Sequence, residues 1–465
     1  MRSGCIVVLD IGKTFAKLTL LSPDGQQRAK RTRANASAPA AATYPTLDVA
    51  GIEAWLAESL TAFVAQSDIC CIIPVAHGAA ACVLTAEGWL APMDYEAVLP
   101  ANLADQYRAL RDPFAQTGSP ALPGGLNLGA QLYWLETLFP SAMARGTIVP
   151  WPQFWAWRLC GVAATEVTSL GCHTDLWCPT EHRPSDLAEK RGWAARFAPS
   201  RAAGDVLGYV TQEWRDRCGL PDDCAVLCGL HDSNAAFLAV RGYPAIAGKE
   251  HSVLSTGTWF VAMRATPQLD MGTIAEDRDC LVNVDAYGMA VPSARFMGGR
   301  ETELLVESLD GQIDASDMRE SLQVAAIAAI RDGVFALPSF QADVGPFARQ
   351  TGRWIKRPRE AFARRAVASL YLALVSDVVL TLIGSRERLV IEGRFAGDPV
   401  FTTALAELRP DLAIYRAPAS NSLCHGALRL IRPDFLPPDG GLARVQPGAF
   451  GMRDYAAAWR QRSAS

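Results

Sequence analysis

The N-terminal part of the chain alternates apolar runs of strand length with short polar turns. Residues 6–9 form one continuous apolar run, and residues 18–21 form a second one that ends at the turn Ser22-Pro23-Asp24-Gly25. Apolar runs of this length bounded by turn residues are typical of buried strands. The pattern predicts a β-hairpin whose turn region carries Asp10-Ile11-Gly12-Lys13-Thr14.

A second pattern of this kind lies near the middle of the chain. Residues 225–228 are an apolar run, Gly229-Leu230-His231-Asp232 follows it, and residues 235–240 resume an apolar stretch of helical character. This predicts that Asp232 lies at the end of a strand and near the start of a helix, where ligands bind in open α/β sheets. The same position also suits a helix N-cap, so both roles are open for Asp232 at this point.

A third turn follows the next apolar run. Residues 252–254 lead into Ser255-Thr256-Gly257-Thr258-Trp259. Small residues that offer hydroxyl and N–H groups suit a phosphate, whereas the same composition also forms ordinary Ser/Thr turns. Thr256, Gly257 and Thr258 are therefore candidate phosphate-binding residues.

The first turn has the chemistry expected of a phosphate site. Gly12 lets the backbone come close to a phosphate whose oxygens face the N–H groups of the turn. A carboxylate would repel the phosphate, so Asp10 is expected to hold Mg²⁺ through water. A Walker P-loop is excluded because a second strand, and not a helix, follows the turn. A β-turn closed by an Asx hydrogen bond explains Asp-x-Gly equally well.

Composition and charge narrow the class of protein. A chain of 465 residues is long enough for two or three domains, and 50% of its residues are hydrophobic. The net charge is −4 and the sequence has no basic block, which argues against nucleic acid as a partner. The first residues run straight into a strand, so no signal peptide is expected. These features are typical of a cytoplasmic enzyme.

We interpret two further features as structural. Residues 366–384 are the most membrane-like stretch, but Asp377 lies inside it and would cost about 2.5–3.5 kcal/mol at the centre of a bilayer. We expect a buried core helix there and no membrane partner. The 12 cysteines lack the paired C-x-x-C spacing of a structural zinc site, so we expect neither a cysteine metal site nor disulfides.

Taken in order along the chain, these segments resemble the FGGY carbohydrate kinases. The resemblance covers about residues 5–432 and depends on the order and spacing of the motifs together. The motifs are Asp10-x-Gly12-x-Thr14-x-x-Lys17, Val75-Ala76-His77-Gly78-Ala79, a stretch from Gln131 to Gln153, Gly229-x-x-Asp232, Ser255-Thr256-Gly257-Thr258 and Glu392-Gly393-Arg394-Phe395-Ala396.

The resemblance implies an α/β fold with two ribonuclease-H-like domains of the actin and hexokinase type. Each domain would be a mixed sheet flanked by helices, with a cleft between the two. We expect residues 1–246 to form the sugar-binding domain with the catalytic base, and residues 247–465 to form the nucleotide-binding domain. Residues 34–43 and the polar tail after Arg453 are the low-complexity segments.

The resemblance also implies roles for individual residues. Asp232 would be the catalytic base that accepts the proton of the attacking hydroxyl. ATP and Mg²⁺ are the implied cofactors. The residues implied to hold them are Gly12 and Thr14 at the β-phosphate, Asp10 in the Mg²⁺ shell, Thr256, Gly257 and Thr258 at the transferring phosphate, and Gly393 at the start of the adenosine loop.

Two departures from the family pattern affect the nucleotide site. The family usually has Thr or Ser where this chain has Lys13, and we count Lys13 among the candidate cofactor-binding residues. Its ammonium either adds a phosphate contact or is solvated. The adenosine loop usually continues in glycines, but here Arg394 and Phe395 follow Gly393. The larger side chains would either pack more tightly on the base or weaken nucleotide binding.

The candidate sugar site rests on four residues. His77 aligns with a substrate-binding histidine of the xylulose kinase branch, although a structural histidine would look the same in sequence. Asp94 lies where relatives place a sugar-binding carboxylate, or it is a solvated loop charge. His231 precedes the expected base, and Gln153 is expected to line the pocket.

The sequence therefore predicts an ATP-dependent carbohydrate kinase that phosphorylates a hydroxyl of a ketose or 6-deoxyketose, such as rhamnulose, fuculose or xylulose. The alternative is a non-catalytic, actin-like ATP-binding or sugar-sensing protein. Asp232 distinguishes the two, because a binding module needs no carboxylate opposite the γ-phosphate. The expected partner is a small sugar, and a homodimer stays open.

Overall fold

The computed structural model describes residues 4–36, 43–307, 319–418, 422–437 and 441–463. The chain divides into two compact units. Unit 1 comprises Met1–Gly242, Val282–Ala290 and Asn421–Pro438, and unit 2 comprises Tyr243–Leu281, Val291–Ser420 and Asp439–Ser465. The main change of unit lies a few residues before the predicted boundary at 246/247. Residues 282–290 and 421–438, which the prediction assigned to the second domain, pack with unit 1.

Strands and helices alternate up to Gly242. The elements are β1 (Cys5–Ile11), β2 (Phe15–Leu21), β3 (Gln27–Ala34), α1 (Val49–Val64), β4 (Ile69–Ala76), β5 (Ala81–Thr85), β6 (Gly88–Leu90), α2 (Ala101–Leu110), α3 (Phe114–Thr117), α4 (Leu128–Leu138), α5 (Pro140–Arg145), β7 (Thr147–Pro150), α6 (Trp151–Cys160), α7 (Val167–Leu170), β8 (Trp177–Cys178), β9 (Arg183–Pro184), α8 (Asp186–Lys190), β10 (Val206–Tyr209), α9 (Gln212–Cys218), β11 (Ala225–Leu227), β12 (Leu230–His231) and α10 (Asp232–Ala239).

The rest of the chain repeats this alternation. Its elements are β13 (His251–Thr256), β14 (Phe260–Ala265), β15 (Cys280–Val284), β16 (Ala290–Phe296), α11 (Gly298–Val306), α12 (Arg319–Arg331), β17 (Phe335–Leu337), β18 (Arg353–Ile355), α13 (Ala361–Leu382), β19 (Arg388–Gly393), α14 (Pro399–Leu408), β20 (Ala413–Arg416), α15 (Ser422–Arg429), β21 (Ala443–Arg444) and α16 (Met452–Ser463).

The main sheet of unit 1 is mixed. Its strands lie in the order β10-β11-β4-β1-β2-β3, and β12 also pairs with β4. Strands β1, β2 and β3 are antiparallel neighbours, whereas β4 runs parallel to β1, β11 and β12. The predicted hairpin is thus confirmed as β1 and β2.

The main sheet of unit 2 has the same plan. Its order is β15-β16-β14-β13-β19-β20-β21. Strand β13 is antiparallel to β14, which is antiparallel to β16, and β13 is parallel to β19, which is parallel to β20. Strands β13 and β19 therefore hold the places that β1 and β4 hold in unit 1.

Both faces of the unit 1 sheet are buried, which explains why its central strands are apolar throughout. Alternate residues of a strand point to opposite faces. Val7 and Leu9 of β1 belong to a core cluster with residues of α1 and α6. Ile6 and Val8 belong to a second cluster with residues of α10 and α15. The sheet is thus packed between helices on both sides.

The apolar helix α13 lies inside unit 2. It is the helix among the described residues that is long and apolar enough to span a membrane, and most of it is buried within the protein. Its acidic residue Asp377 is paired with Arg460, at 2.6 Å between Oδ2 and Nη2. The interpretation of this stretch as a core helix is confirmed.

The C-terminal segment differs from its prediction. The tail after Arg453 is not a low-complexity tail, because it forms most of α16. Tyr455 and Trp459 are spaced four residues apart on its buried face, and the Trp459 indole N–H donates to the Ala336 carbonyl at 2.8 Å. The many polar residues around this narrow apolar face concealed the helix. Most of the other predicted low-complexity segment, residues 37–42, lies outside the described residues.

Helix α15 packs unusually closely on α10, the helix that begins at Asp232. A Cβ atom at Gly426 would lie 1.7 Å from the carbonyl oxygen of Ala235. Glycine therefore permits this close contact between the two helices. A segment from late in the chain thus supports the helix that carries the candidate base.

We expect Gly426→Ala to lower the free energy of unfolding by about 1–3 kcal/mol, the usual cost of overpacking. The added methyl group has to push α15 away from α10. Urea and thermal denaturation measure the change. Gly441→Ala is the control, because a Cβ atom there would have no neighbour within 4 Å among the described residues. Equal stability of the two variants would contradict the prediction.

Candidate active site

The first turn places Asp10 beside a lysine. In the β1–β2 register Asp10 pairs with Lys17, and the Lys17 ammonium donates to Asp10 Oδ2 at 3.1 Å. Asp10 is buried, and burial is the main reason that its pKa is raised; the nearby Asp232 raises it further and Lys17 lowers it. Lys17 stands in the family motif, but the sequence alone gives it no role.

Strand β4 brings Asp10 and Asp232 to the same edge of the sheet. Val75 of β4 pairs with Asp10 on one side and with Leu230 of β12 on the other. Gly229 makes this possible, since it has a φ of +77° and a Cβ atom there would lie 2.0 Å from the Pro74 carbonyl oxygen. The predicted arrangement of strand, turn and helix is confirmed.

Asp232 is the first residue of α10, and the N-cap position belongs to His231. The Asp232 Oδ1 atom accepts hydrogen bonds from the Ser233 N–H at 2.6 Å and from the Ser233 hydroxyl at 3.3 Å. Burial raises the pKa of Asp232 to about 6, against the lowering effect of these bonds and of Lys17. Its side chain still keeps 29% of its surface exposed. The carboxylate is thus largely surrounded by protein but open on one side.

His231 lies against this carboxylate as a neutral group. Its Nε2 atom is 3.2 Å from Asp232 Oδ1. Burial lowers the pKa of His231 to about 4, so the ring is uncharged at neutral pH. The contact is therefore a close approach of a neutral ring to the carboxylate and not an ion pair.

Residues behind the site hold its backbone. Gln153, which the sequence placed at the sugar, is fully buried, and its amide donates to the carbonyls of Cys228 and Gly229 at 3.3 and 3.1 Å. It supports the turn before Asp232 and is not part of the cavity wall. Thr168 accepts the His231 N–H at 3.0 Å and donates to Glu166 at 2.5 Å. Sequence analysis missed this pair, because nothing local marks it.

A cavity of about 310 Å³ opens beside the first turn. Its lining residues belong to unit 1 and include Gly12, Lys13, Thr14, His77, Glu96 and Trp151. His77 packs edge-on against Tyr95, with 5.2 Å between the ring centroids, and lies 6.3 Å from the Trp151 ring. Burial lowers the pKa of His77 to about 3, and its ring is neutral.

Two residues that line the cavity carry buried polar atoms for which the described residues provide no partner. His77 Nδ1 and Trp151 Nε1 have no hydrogen bond from the described residues. An unmet buried polar group is costly, so such groups are rare unless a ligand or water meets them. His77 therefore has an unused hydrogen-bonding atom and stays a candidate sugar-binding residue.

Lys13 is neither solvated nor unpaired. Its ammonium bonds to Asp94 Oδ1, lies 3.4 Å from Glu96 Oε2 and stands 5.2 Å from the centroid of the Tyr95 ring. Asp94 itself is buried, with a relative exposure of 4%, so it is not a solvated loop charge. The structure thus brings Lys13 to the acidic segment that sequence analysis assigned to the sugar.

The turn after β13 in unit 2 is tied to the end of β19. Thr256 pairs with Gly393, and the Thr256 hydroxyl donates to the Glu392 carbonyl and accepts the Phe395 N–H at 3.0 Å. This hydroxyl is therefore occupied within unit 2. Gly257 is partly exposed and Thr258 is exposed, so these two residues offer groups to a phosphate.

Helix α11 begins beside this turn. The Gly299 N–H donates to the Thr258 carbonyl at 3.2 Å, and a Cβ atom at Gly299 would lie 2.2 Å from the Gly257 carbonyl oxygen. The N-terminus of a helix favours anions. Sequence analysis missed Gly298 and Gly299, although two glycines after an apolar run were a usable signal.

The segment predicted to form the adenosine loop differs from the prediction at Phe395. Phe395 is buried and packs on Phe260, with 5.2 Å between the ring centroids. It is part of the core of unit 2 and does not pack on a base. Arg394 is exposed, so of the two large residues only Arg394 lies on the surface.

Comparison with known proteins finds carbohydrate kinases, both by sequence family and by structure. Residues 248–438 match the family described as carbohydrate kinase FGGY, C-terminal domain. The crystal structure of a carbohydrate kinase from Novosphingobium aromaticivorans is 46% identical, covers 100% of this chain and 99% of that one, and superposes with a TM-score of 0.93.

More distant structures share the fold. A xylulose kinase from Rhodospirillum rubrum is 17% identical over 99% of this chain and 98% of that one, with a TM-score of 0.74. A gluconate kinase from Lactobacillus acidophilus is 13% identical over 99% and 96%, with a TM-score of 0.75. The predicted α/β fold of the actin and hexokinase type is confirmed. This chain is a sugar kinase, a phosphotransferase, and it belongs to the FGGY family of carbohydrate kinases.

Proposed function

We propose that this protein transfers the γ-phosphate of ATP to a hydroxyl of a neutral ketose or 6-deoxyketose, with Asp232 as the catalytic base. The observation that carries the proposal is the state of Asp232: a strand-end carboxylate with a pKa of about 6, hydrogen-bonded to Ser233 and 3.2 Å from a neutral histidine. A base of this pKa is ionised at neutral pH and still holds a proton well enough to accept one during the reaction.

The acceptor hydroxyl is proposed to bind in unit 1, beside Asp232. Phosphoryl transfer depends mainly on positioning and on charge stabilisation. In the proposed reaction Asp232 orients the acceptor hydroxyl and takes its proton as the bond to phosphorus forms. Hydrogen bonds from Ser233 hold the carboxylate in place, and His231 stays neutral 3.2 Å from it. His77 contributes its unpartnered ring nitrogen to sugar binding.

The family uses ATP, and we propose a role for Mg²⁺ at Asp10. Among the described residues no group of three or more His, Cys, Asp and Glu side chains is suited to a metal ion. Magnesium, however, is usually bound by one or two carboxylates together with substrate phosphates. Asp10 fits this mode, because a buried carboxylate near a second one gains from a cation. The ion would offset negative charge on the phosphates.

We assign the remaining nucleotide contacts by turn and by unit. In unit 1 the N–H groups from Gly12 to Thr14 and the Lys17 ammonium are proposed to bind the β-phosphate. In unit 2 the Thr256–Thr258 turn with the start of α11 is proposed to bind the transferring phosphate, and Gly393 to begin the adenosine loop. Unit 1 is thus the proposed sugar unit and unit 2 the nucleotide unit, in a cytoplasmic enzyme.

The charges of the cavity favour a neutral sugar. The charged residues that line it are Lys13, Asp48 and Glu96. Asp48 is paired with Arg33, and the positive charge of Lys13 is balanced by Asp94 and Glu96. A sugar acid would place a further carboxylate beside Asp94 and Glu96. The residues that line the cavity include no unpaired cation to balance it. We therefore propose rhamnulose, fuculose or xylulose rather than gluconate.

A coupled assay of ADP release tests the substrate class. We expect the highest turnover with one member of a panel of L-rhamnulose, L-fuculose and D-xylulose, and at least tenfold lower kcat/KM with D-gluconate and glycerol. The factor corresponds to one lost hydrogen bond to a charged group. A preference for gluconate would refute the neutral-sugar proposal.

We expect Asp232→Asn to lower kcat by about 10²-fold or more, the usual contribution of a general base. The amide keeps the shape of the side chain but accepts no proton, so the fold and ATP binding are expected to persist. We expect the lower kcat to be accompanied by an unchanged nucleotide affinity, which calorimetry measures. Asp186→Asn, at a partly exposed position at the start of α8, is the control. A variant that retains half of wild-type kcat would exclude Asp232 as the base.

The pH dependence follows from the raised pKa of Asp232. Below pH 6 the carboxylate gains a proton and loses its function as a base, so kcat/KM should fall roughly tenfold between pH 7 and pH 5. Ser233→Ala removes a hydrogen bond that stabilises the ionised form, and it should move this limb to higher pH. Circular dichroism at pH 5 controls for unfolding. A flat profile down to pH 5 would contradict the assignment.

A further inference from the structure

We infer that Lys13 binds the sugar: its ammonium donates a hydrogen bond to a sugar hydroxyl in the cavity, and Asp94 and Glu96 hold the ammonium in place. The inference rests on the sugar site proposed above and goes beyond it. Sequence analysis placed Lys13 on the phosphate and Asp94 on the sugar, whereas the geometry points to Lys13 as the contact residue and Asp94 as the positioning residue.

The first argument is the position of the two side chains. Lys13 is a lining residue of the cavity, together with His77, Glu96 and Trp151, and Asp94 is not. The Lys13 side chain keeps 20% of its surface exposed, against 5% for Asp94. Lys13 therefore reaches the ligand space, while Asp94 lies behind it.

The second argument is the hydrogen-bonding capacity of an ammonium group. It has three N–H donors and accepts nothing. Asp94 Oδ1 takes one donor, and Glu96 Oε2 lies 3.4 Å from the nitrogen. Among the described residues no acceptor takes the third donor, which is left for an acceptor in the cavity. A hydroxyl oxygen is such an acceptor, and unlike phosphate it does not have to compete with two carboxylates for a full charge.

The third argument is that the Lys13 group is fixed rather than flexible. The Asp94 Oδ1 atom that bonds Lys13 also accepts the Glu96 N–H at 3.0 Å, so the carboxylate is tied to its own loop. The Tyr95 ring lies under the ammonium and against His77. Lysine loses much side-chain entropy when it is ordered. Here the protein has met that cost before a ligand binds, which favours a defined hydroxyl position.

Together these contacts join the first turn to the loop that carries Asp94. The residue after Gly12 thereby becomes part of the sugar site. Gly78, next to His77, lies close to His231, since a Cβ atom there would be 3.1 Å from His231 Nε2. A shift of Lys13 is therefore expected to change sugar affinity first.

The test compares the kinetic constants of Lys13→Met with those of the wild type, using the best acceptor from the ADP-release panel. We expect the KM for sugar to rise about ten- to a hundredfold, the range for a lost hydrogen bond to a charged group. The KM for ATP and kcat should each change less than about threefold. Lys190→Met, an exposed lysine at the end of α8, is the matched control. A raised KM for ATP with an unchanged KM for sugar would overturn the inference and favour a phosphate contact.

A double-variant cycle tests the role of Asp94. We expect Asp94→Asn alone to raise the KM for sugar, because the ammonium loses its anchor. In the Lys13→Met background the same change should add less than about twofold, because its effect passes through Lys13. Effects that multiply would show that Asp94 binds the sugar itself and would overturn the positioning role.

Stability measurements distinguish a sugar contact from a purely structural role of Lys13. Lys13→Met leaves a buried carboxylate without its cation, so thermal stability is measured for each variant. The double variant removes that charge and should recover stability while the KM for sugar stays high; recovery of the KM as well would mean a merely structural role. Failure of the proposed kinase base would instead show in the kcat of Asp232→Asn, which Lys13 does not affect.

Discussion

Strand β4 bonds to β1 on one side and to β11 and β12 on the other, and the acidic residues of unit 1 depend on this pairing. In this register Val75 of β4 lies between Asp10 of β1 on one side and Leu230 of β12 on the other. Backbone hydrogen bonds thus hold two carboxylates in one buried region, where their charges repel. The pKa of Asp10 and that of Asp232 are both raised, mainly by burial. The stability of the parallel ladder offsets the cost of this arrangement.

Charge balance in the site is local. The carboxylate of Asp10 forms an ion pair with Lys17, that of Asp94 with Lys13, and that of Asp48 with Arg33. Asp232 alone among these four carboxylates has no ion-pair partner of its own, since the histidine beside it is neutral. A paired carboxylate would hold its negative charge too firmly to take a proton easily. The proposed chemistry therefore depends on which carboxylates are neutralised and which one is not.

Sequence patterns correctly predicted the elements that depend on residues close together in the chain. The hairpin, the strand before Gly229 and the start of α10 follow from apolar runs and turn residues within a few positions, and the family motifs placed them in order. The Lys13–Asp94 contact joins residues 81 positions apart, so no local pattern reveals it. The sequence also did not reveal that the Thr256 hydroxyl donates to the Glu392 carbonyl, because the two residues are 136 positions apart. Long-range packing also explains why Phe395 turns inward and why α16, with the composition of a polar tail, is a helix.

The chain passes between its two units five times, and this has a consequence for any attempt to divide the protein. Helix α15, from the segment Asn421–Pro438, covers the apolar side of α10, where Ala235 and Leu238 are buried against Ala427 and Leu428. A fragment that ends at residue 246 would lack α15 and expose this surface beside the candidate base. Newly synthesised unit 1 is therefore incomplete until α15 has left the ribosome. The unit that carries the candidate base is finished by residues that are made long after the rest of it.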